Sequence, residues 1–284
     1  LKLNKTDYLF ISAPENVAWL LNIRGHDNPN SPIPNSRLII GKNKQLLLFT
    51  KKDNVKEIIS EKKIKNNQVF DFLNFKEVIK KLNGSNFIID GYSCSVFAEN
   101  IIKSKFKIRA KEDPIYKLKS VKNSSEIKNM IQAHKKDGLA LTKFIYWLKN
   151  VNKKNITEVH AQNKLEKFRK MDQDYLYPSF NTIAGTGSNG AIVHYRATKK
   201  NTKNINSKDI FLCDSGGQYK YGTTDVTRTI CFSTQKQYII DTFTKVLKGH
   251  IAVALTNLNK DNTGRKIDVR ARRFLKKDGL DYAH

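Results

Sequence analysis

The sequence has little cysteine, no long apolar run and no internal repeat. Its three cysteines, Cys94, Cys213 and Cys231, lie far apart and form no C-x-x-C pair, which argues against a disulfide framework and against a structural zinc site. No apolar stretch has the roughly 20 residues that span a bilayer, and the first residues lack the apolar core of a secretory signal. We therefore expect a cytoplasmic protein with no membrane partner.

Acidic residues are also scarce, at 26 against 52 lysines and arginines, which gives the 284-residue chain a net charge of +26. Such an excess can mark a nucleic-acid-binding protein. Here, however, the lysines are scattered through every segment, and the aromatic residues lie among aliphatic ones instead of alternating with basic ones as base stacking requires. We expect the charge to reflect overall composition, with no nucleic acid as a partner.

Residues 1–113 alternate the signals of short strands with those of helices. Strands are predicted at residues 8–11, 37–40, 45–49, 69–70, 87–90 and 106–108. After the first strand, Pro14 opens a helix through Leu21, and a loop rich in proline covers residues 24–36. This order predicts an α/β domain that ends near Pro114.

Residues 114–284 have a different pattern, in which two helices precede the strands. Asn123 or Ser124 can cap the first helix, with Glu126 in its first turn, and a second helix begins near residue 156. The later predicted elements are strands at 210–213 and 227–232 and helices at 237–255 and 264–277. Helices around an antiparallel hairpin predict an α+β domain, so the expected fold class is an α/β domain followed by an α+β domain.

The segment of greatest chemical interest begins at Asp214 and reads Asp-Ser-Gly-Gly-Gln-Tyr-Lys-Tyr-Gly-Thr-Thr-Asp-Val-Thr-Arg-Thr. Its glycines permit a tight hairpin, and a turn centred near Tyr219 and Lys220 places Asp214 directly opposite Asp225. Directly opposed Cβ atoms are about 4.5–5.5 Å apart. The apolar neighbours of both aspartates indicate buried strands, and two buried carboxylates need a positive partner. Oxygen ligands favour a hard divalent cation such as manganese; the alternative is that both aspartates are exposed turn residues.

The run from Gly185 to Gly190 satisfies the G-x-G-x-x-G pattern of dinucleotide-binding sites. Such a site needs a helix to start at the glycines, so that its N-terminus meets the pyrophosphate. The residues that follow, Ala191 to Tyr195, instead predict a strand. We therefore expect no nucleotide-binding residues in this run.

The segment that begins at Asp214 resembles the first metal-ligand segment of the Xaa-Pro aminopeptidases, especially their long three-domain form. Five further segments are similar to that family, so the resemblance covers nearly the whole chain. They are residues 19–25, 120–126, 187–195, 246–253 and 279–284. The resemblance implies a creatinase N-terminal-like α/β domain over residues 1–113 and an incomplete, C-terminally truncated pita-bread metallopeptidase domain over residues 114–284.

The resemblance also implies a metal centre. Asp214 would bind one metal ion and Asp225 would bridge two, so that a water held by the ions attacks the scissile carbonyl. The implied cofactor is Mn²⁺, two ions in a complete site, with Zn²⁺ or Co²⁺ as alternatives. The implied substrates are peptides with proline at the second position, and the implied assembly is a homodimer.

Four more residues are implied at the substrate site. His194 resembles a histidine that contacts substrate and helps to move protons, and His284 resembles another active-site histidine. Tyr195 and Arg196, beside His194, would line the pocket.

Both ends of the chain look cut, and the family's remaining ligands, a histidine and two glutamates, would follow His284. The sequence therefore predicts that this chain alone is inactive or nearly so. Two other interpretations remain open: a prolidase-like dipeptidase, and a metal-free pita-bread domain that acts as a binding module. Retention of both Asp214 and Asp225 speaks against the metal-free module.

Overall fold

A computed structural model of the chain describes Leu1, residues 5–260 and residues 263–283. The chain forms two compact units, one ending at Gln132 and the other beginning at Ala133. The first unit thus takes in residues beyond 113, and the domain boundary predicted there stays a prediction.

The first unit is built on a six-stranded mixed sheet. Its strands are β1 (Tyr8–Ile11), β2 (Arg37–Gly41), β3 (Leu46–Phe49), β4 (Val69–Phe70), β5 (Asn86–Ile89) and β6 (Lys107–Ala110). Its helices are α1 (Pro14–Leu21), α2 (Lys56–Ser60), α3 (Phe75–Lys81), α4 (Val96–Lys103) and α5 (Pro114–Ser120), with short 3-10 helices at Lys52–Asn54, Asn66–Gln68 and Phe72–Asn74. The strand order is β4-β3-β2-β1-β5-β6, in which β1 runs parallel to β5 and antiparallel to β2. The α/β class predicted for this part is confirmed.

Both faces of this sheet are buried because its central strands are continuous apolar runs. Side chains alternate along a strand, so β1 contributes Tyr8 and Phe10 to one core cluster and Leu9 and Ile11 to the other. The second cluster also contains Ile115 of α5. That contact is one reason why this unit extends beyond residue 113.

The second unit combines four helices with two small antiparallel sheets. Its helices are the part of α6 (Ser124–Asn150) from Ala133 onward, α7 (Glu158–Arg169), α8 (Gln237–Ala254) and α9 (Gly264–Lys276), with 3-10 helices at Lys153–Asn155 and Gly187–Ala191. Its strands are β7 (Tyr175–Pro178), β8 (Ile183–Thr186), β9 (Ile210–Ser215), β10 (Gly217–Tyr219), β11 (Gly222–Thr223) and β12 (Val226–Cys231). The sheets have the orders β11-β10-β7 and β12-β9-β8. The predicted α+β class is confirmed, although β7 and β8 were not predicted.

Helices α6 and α7 pack against β9 and so support the strand that carries Asp214. Phe144 of α6, Leu165 of α7 and Phe211 of β9 are fully buried in one cluster. Helix α6 begins where the sequence predicts: Glu126 N donates to Asn123 Oδ1 at 2.9 Å, and Asn123 N donates to Glu126 Oε2 at 2.8 Å. This reciprocal cap satisfies backbone donors that the first turn of a helix leaves unpaired.

The strand predicted for residues 191–195 is wrong. β8 is followed by the 3-10 helix Gly187–Ala191 and then by a turn. Ile192 and Val193 are exposed, whereas Tyr195 is buried. The β-branched pair suggested a strand, but hydrogen bonds to the Tyr195 hydroxyl fold the segment inward instead. Among the residues that the structure describes, no helix has both the length and the apolar character needed to cross a membrane.

Candidate metal centre

The two aspartates lie on the hairpin formed by β9 to β12, but in a different register from the predicted one. Asp214 pairs with Thr227, and Tyr219 pairs with Gly222, so the two turn residues are Lys220 and Tyr221. The prediction that Asp214 stands directly opposite Asp225 is therefore wrong.

Tyr219 explains the shift of the turn. Its side chain is buried, and its hydroxyl donates to Asp137 Oδ1 at 3.0 Å. Burial raises the pKa of Tyr219, and the nearby charge of Asp137 raises it further, so the hydroxyl keeps its proton. A tyrosine anchored in this way belongs to strand β10, and the turn moves one residue along the chain.

The chemical content of the prediction survives this correction, because a change of two residues in pairing keeps a side chain on the same face of a sheet. Asp214 and Asp225 are diagonal neighbours across the ladder, where Cα atoms are about 7–8 Å apart. Directly opposite Asp214, Thr227 donates its hydroxyl to Asp214 Oδ1 at 2.8 Å. The two carboxylates and this hydroxyl therefore share one face of the hairpin.

The two aspartates share a face of the hairpin, as predicted, but they are not both buried. Asp214 is half-buried and Asp225 is exposed, so the expectation of two buried carboxylates is wrong for Asp225. Partial desolvation and the negative charge of Asp214 nevertheless raise the pKa of Asp225. The two carboxylates thus repel each other electrostatically, and a cation between them would relieve that repulsion.

Gly216 and Thr224 bring the two aspartate-bearing strands together. A Cβ atom on Gly216 would lie 1.9 Å from the Thr224 carbonyl oxygen and 2.3 Å from Ser179 Oγ, so only glycine fits there. Ser179 donates its hydroxyl to the same carbonyl at 2.8 Å. Gly217 N donates to Thr224 Oγ1 at 2.9 Å, and Thr224 N donates to the Gly217 carbonyl at 2.9 Å. Thr224 is held from several sides, directly before Asp225.

A buried ion pair supports β9 from behind. Arg169 donates from Nε to Asp137 Oδ1 at 2.7 Å and from Nη2 to Asp137 Oδ2 at 3.1 Å. The same Nη2 donates to Ser215 Oγ at 3.0 Å, next to Asp214. Burial alone would lower the pKa of Arg169, but the hydrogen bonds and charge of Asp137 outweigh it and raise that pKa.

The residues predicted at the substrate site lie in the segment between β8 and β9. His194 and Arg196 are exposed, and His194 has a left-handed backbone with φ of +54°. Tyr195 is only 7% exposed, and its hydroxyl donates to Glu158 Oε2 at 2.8 Å. This geometry favours an anchoring role for the Tyr195 side chain over the predicted contact with substrate. His284 lies outside the described residues.

The oxygen atoms present suit part of a divalent-metal site. Carboxylate and hydroxyl oxygens are ligands that hard cations accept. In the described part of the chain, no three His, Cys, Asp or Glu side chains are grouped as a complete site would require. Asp214 and Asp225 therefore fit a divalent ion as a partial ligand set.

Sequence reasoning missed the residues that support these aspartates, and it also missed Glu158, which accepts the hydrogen bond of Tyr195. Thr227, Asp137 and Arg169 carry no motif of their own, and Glu158 resembles an ordinary acidic residue in the first turn of a helix. Only the pairing of strands and helices in space reveals their contacts. The one available signal was the abundance of threonine around Asp225, which includes Thr227.

Two family models together match nearly all of the chain. The Creatinase/Prolidase N-terminal domain matches residues 1–126, and metallopeptidase family M24 matches residues 128–284. The predicted order of a creatinase-like domain followed by a pita-bread domain is thereby confirmed.

Curated relatives match the chain from end to end. It is 36% identical over 293 residues to the Xaa-Pro aminopeptidase ApepP of Drosophila melanogaster. The alignment covers 100% of this chain and 47% of that protein. It is 35% identical over 303 residues to a probable Xaa-Pro aminopeptidase P of Paracoccidioides brasiliensis, with 100% and 48% covered. The chain spans about half the length of these curated relatives.

Solved structures give a consistent result. The X-prolyl aminopeptidase of Caenorhabditis elegans, a cytosolic enzyme with a di-nuclear active site, matches with a TM-score of 0.86 and 26% identity over 99% of this chain and 48% of that one. The prolidase of Pyrococcus furiosus matches with a TM-score of 0.72 and 22% identity over 98% and 77%, which shows the shared fold alone. The resemblance that the sequence segments predicted is confirmed.

Proposed function

The chain belongs to metallopeptidase family M24, and from that membership we propose that its complete reading frame encodes a divalent-metal-dependent Xaa-Pro aminopeptidase. Such an enzyme hydrolyses the bond between an N-terminal residue and a following proline. The observation that carries the proposal is the placement of Asp214 and Asp225 on one face of a hairpin, where partial desolvation and then the charge of Asp214 raise the pKa of Asp225. The two Xaa-Pro aminopeptidase relatives support the choice of substrate.

In this proposal Asp214 and Asp225 hold the metal ions, and Thr227 keeps the Asp214 carboxylate in place through its hydrogen bond. A bound divalent ion supplies a water of lowered pKa and polarises a carbonyl oxygen. His194, which is exposed on the segment after β8, contacts the peptide and moves protons at its imidazole. Arg196 lies beside it and offers a fixed positive charge to the peptide.

Manganese is the proposed ion, because an all-oxygen partial ligand set suits a hard cation better than zinc, which favours thiolate and imidazole. The di-nuclear site of the Caenorhabditis elegans relative supports two ions per complete site. A cytoplasmic location and a homodimer complete the proposal. The first is supported by that relative's being cytosolic and by the free state of Cys94, Cys213 and Cys231.

Activity of the protein expressed from its complete reading frame tests the assignment. With manganese, we expect hydrolysis of an Xaa-Pro-Xaa tripeptide, and Asp225→Asn should lower kcat/KM at least about 100-fold, since it removes a charged ligand. Asp241→Asn is the matched control, because Asp241 lies exposed on α8 and accepts a local hydrogen bond from Gln237. Equal activity of the Asp225→Asn variant and the wild type would refute the proposed metal role.

Substrate length separates the proposed enzyme from a prolidase, whose fold the chain also matches. We expect the tripeptide to be cleaved at least as efficiently as the Xaa-Pro dipeptide. Cleavage of the dipeptide alone would assign the protein as a prolidase. Absence of both bound manganese and metal-dependent hydrolysis in the complete protein would favour a binding module.

A further inference from the structure

A buried carboxylate at the start of α7 accepts hydrogen bonds from the end of β8 and from the segment that follows it. Glu158 is 0% exposed. Its Oε1 accepts from Thr186 N at 2.8 Å and from Asn189 Nδ2 at 2.9 Å. Its Oε2 accepts from the Tyr195 hydroxyl at 2.8 Å and from Lys203 N at 3.0 Å. A buried charge is tolerated only when it is fully hydrogen-bonded in this way.

These partners all lie within residues 186–203, here termed the histidine segment because it carries His194. The segment is folded on itself around the carboxylate: Asn189 also donates to the Tyr195 hydroxyl at 2.8 Å. Burial, together with Glu158, raises the pKa of Tyr195 to about 12, so this hydroxyl remains a donor near neutral pH.

The donors around Glu158 leave no room for a neutral amide. Each carboxylate oxygen accepts a backbone N–H, from Thr186 on one side and from Lys203 on the other. A backbone N–H cannot become an acceptor. A glutamine would therefore turn its NH₂ group toward a fixed donor in either orientation, and one side of the segment would lose its anchor.

The residue next to the anchored tyrosine is the one that the proposed mechanism needs. His194 has φ of +54°, a conformation that non-glycine residues keep only where the surrounding structure imposes it. Tyr195 is the adjacent fixed point. The anchoring contacts thus act directly on the backbone that sets the direction of the imidazole.

We propose that Glu158 is a positioning residue whose buried carboxylate fixes the histidine segment and thereby places His194 for proton transfer. The anchoring part of this inference rests on the hydrogen bonds above. The part that concerns proton transfer rests on the proposed function, so the two parts need separate measurements.

Hydrogen–deuterium exchange tests the anchoring without any assay of activity. In the protein from the complete reading frame, Glu158→Gln should speed exchange in residues 186–203 at least about tenfold, because charge-assisted hydrogen bonds are lost. Tyr195→Phe keeps the ring and should give a smaller change in the same residues. Residues 210–231, which form the aspartate hairpin, should exchange as in the wild type.

Glu166→Gln is the matched control. Glu166 lies on the same helix and also accepts from a buried tyrosine, at 2.6 Å from Tyr175, and this bond and its ion pair with Lys170 both lie outside the histidine segment. We expect this variant to leave exchange in residues 186–203 unchanged. Unchanged exchange in that segment for both Glu158→Gln and Tyr195→Phe would overturn the anchoring role; if Glu158→Gln fails to fold, Tyr195→Phe decides alone.

Steady-state kinetics test the catalytic consequence. In the Glu158→Gln and Tyr195→Phe variants, misplacement of His194 should lower kcat about 10–100-fold. The change in KM should be much smaller, and the metal content should equal that of the wild type. Equal kcat values for Glu158→Gln, Tyr195→Phe, Glu166→Gln and the wild type would overturn the positioning role. If the wild type hydrolyses no Xaa-Pro peptide, the proposed function fails, and the exchange measurement still decides whether Glu158 anchors the segment.

Discussion

At the scale of single residues, the candidate site depends on close approach as much as on its charged groups. Residue types alone predicted that Asp214 and Asp225 act together, because two carboxylates on one hairpin require neutralisation. The sequence could not predict that Gly216 lies against the Thr224 carbonyl. Gly216 lies between β9 and β10 and Thr224 between β11 and β12, and only the pairing of these strands brings the two residues together. Glu158 was likewise beyond prediction, because its donors come from residues 28 to 45 positions further along the chain.

Gly216→Ala should destabilise the second unit by about 1–3 kcal/mol, the usual cost of forcing a methyl group into filled space. It should also weaken metal binding, because the strands that carry the two aspartates must separate. The control is Gly138→Ala on α6, where an added Cβ meets nothing within 4 Å. That change should be neutral or stabilising by up to about 1 kcal/mol. Urea unfolding of the two variants checks the difference, and equal stabilities would contradict the account.

A second residue-scale prediction concerns acid stability of the first unit. A hydrogen bond from Lys42, followed by those from Ser85 N and Asn86 N, lowers the pKa of Asp7 from 3.8 to about 2. A carboxyl whose pKa is lower in the folded state stabilises above its unfolded pKa, and that contribution is lost as pH falls from about 4 to about 2.

Asp7→Asn should therefore destabilise the first unit most above about pH 4, and the difference from the wild type should shrink toward pH 2. Trp19 reports unfolding of this unit in a Trp147→Phe background, since the chain has two tryptophans. The exposed Asp53 gives the control variant Asp53→Asn. A difference from the wild type that stays constant from pH 6 to pH 2 would show that the Asp7 contacts do not contribute to stability.

At the scale of secondary structure, prediction succeeded where local signals were strong. Pro14, Asn123 and Glu126 marked helix starts correctly, and short continuous apolar runs marked the central strands. Failures came where tertiary hydrogen bonds override local preference: Tyr219 moved the hairpin turn by one residue through its bond to Asp137. The segment 191–195 likewise followed the buried Tyr195 hydroxyl instead of its β-branched residues.

The buried ion pair between α6 and α7 makes a prediction at this scale. The side chains of Arg169 and Asp137 are 0% and 1% exposed. Arg169→Met should cost about 3–5 kcal/mol, because it leaves the Asp137 charge buried without its partner. The double variant Arg169→Met/Asp137→Leu should be more stable than that single variant. Urea unfolding followed by Trp147 in a Trp19→Phe background measures both, and the reverse order of stability would contradict the prediction.

At the scale of the whole molecule, Asp214 and Asp225 are two ligands of the proposed metal site, and a complete site needs more. From the composition we predicted that the net charge of +26 marks no nucleic-acid-binding surface. Similarity to two domain families over nearly the full chain accounts for its fold. The remaining ligands could not be located by physical reasoning from these residues. The chain spans about half the length of its curated relatives.

Comparison of the 284-residue chain with the protein from its complete reading frame tests this view. We expect the chain alone to bind Mn²⁺ weakly and to show less than about 1% of the complete protein's Xaa-Pro hydrolysis, since two carboxylates cannot form a full cage for the ions. Assays at equal molar concentration and saturating manganese measure the ratio. Equal turnover would show that residues 1–284 hold the whole catalytic site.

The most direct test is X-ray diffraction from crystals of the complete protein grown with manganese and measured at the manganese absorption edge. The account predicts an anomalous peak within about 2.0–2.6 Å of carboxylate oxygens of both Asp214 and Asp225, the range of metal–oxygen bonds. A fully loaded crystal with its anomalous peaks elsewhere, and none beside these two residues, would contradict it.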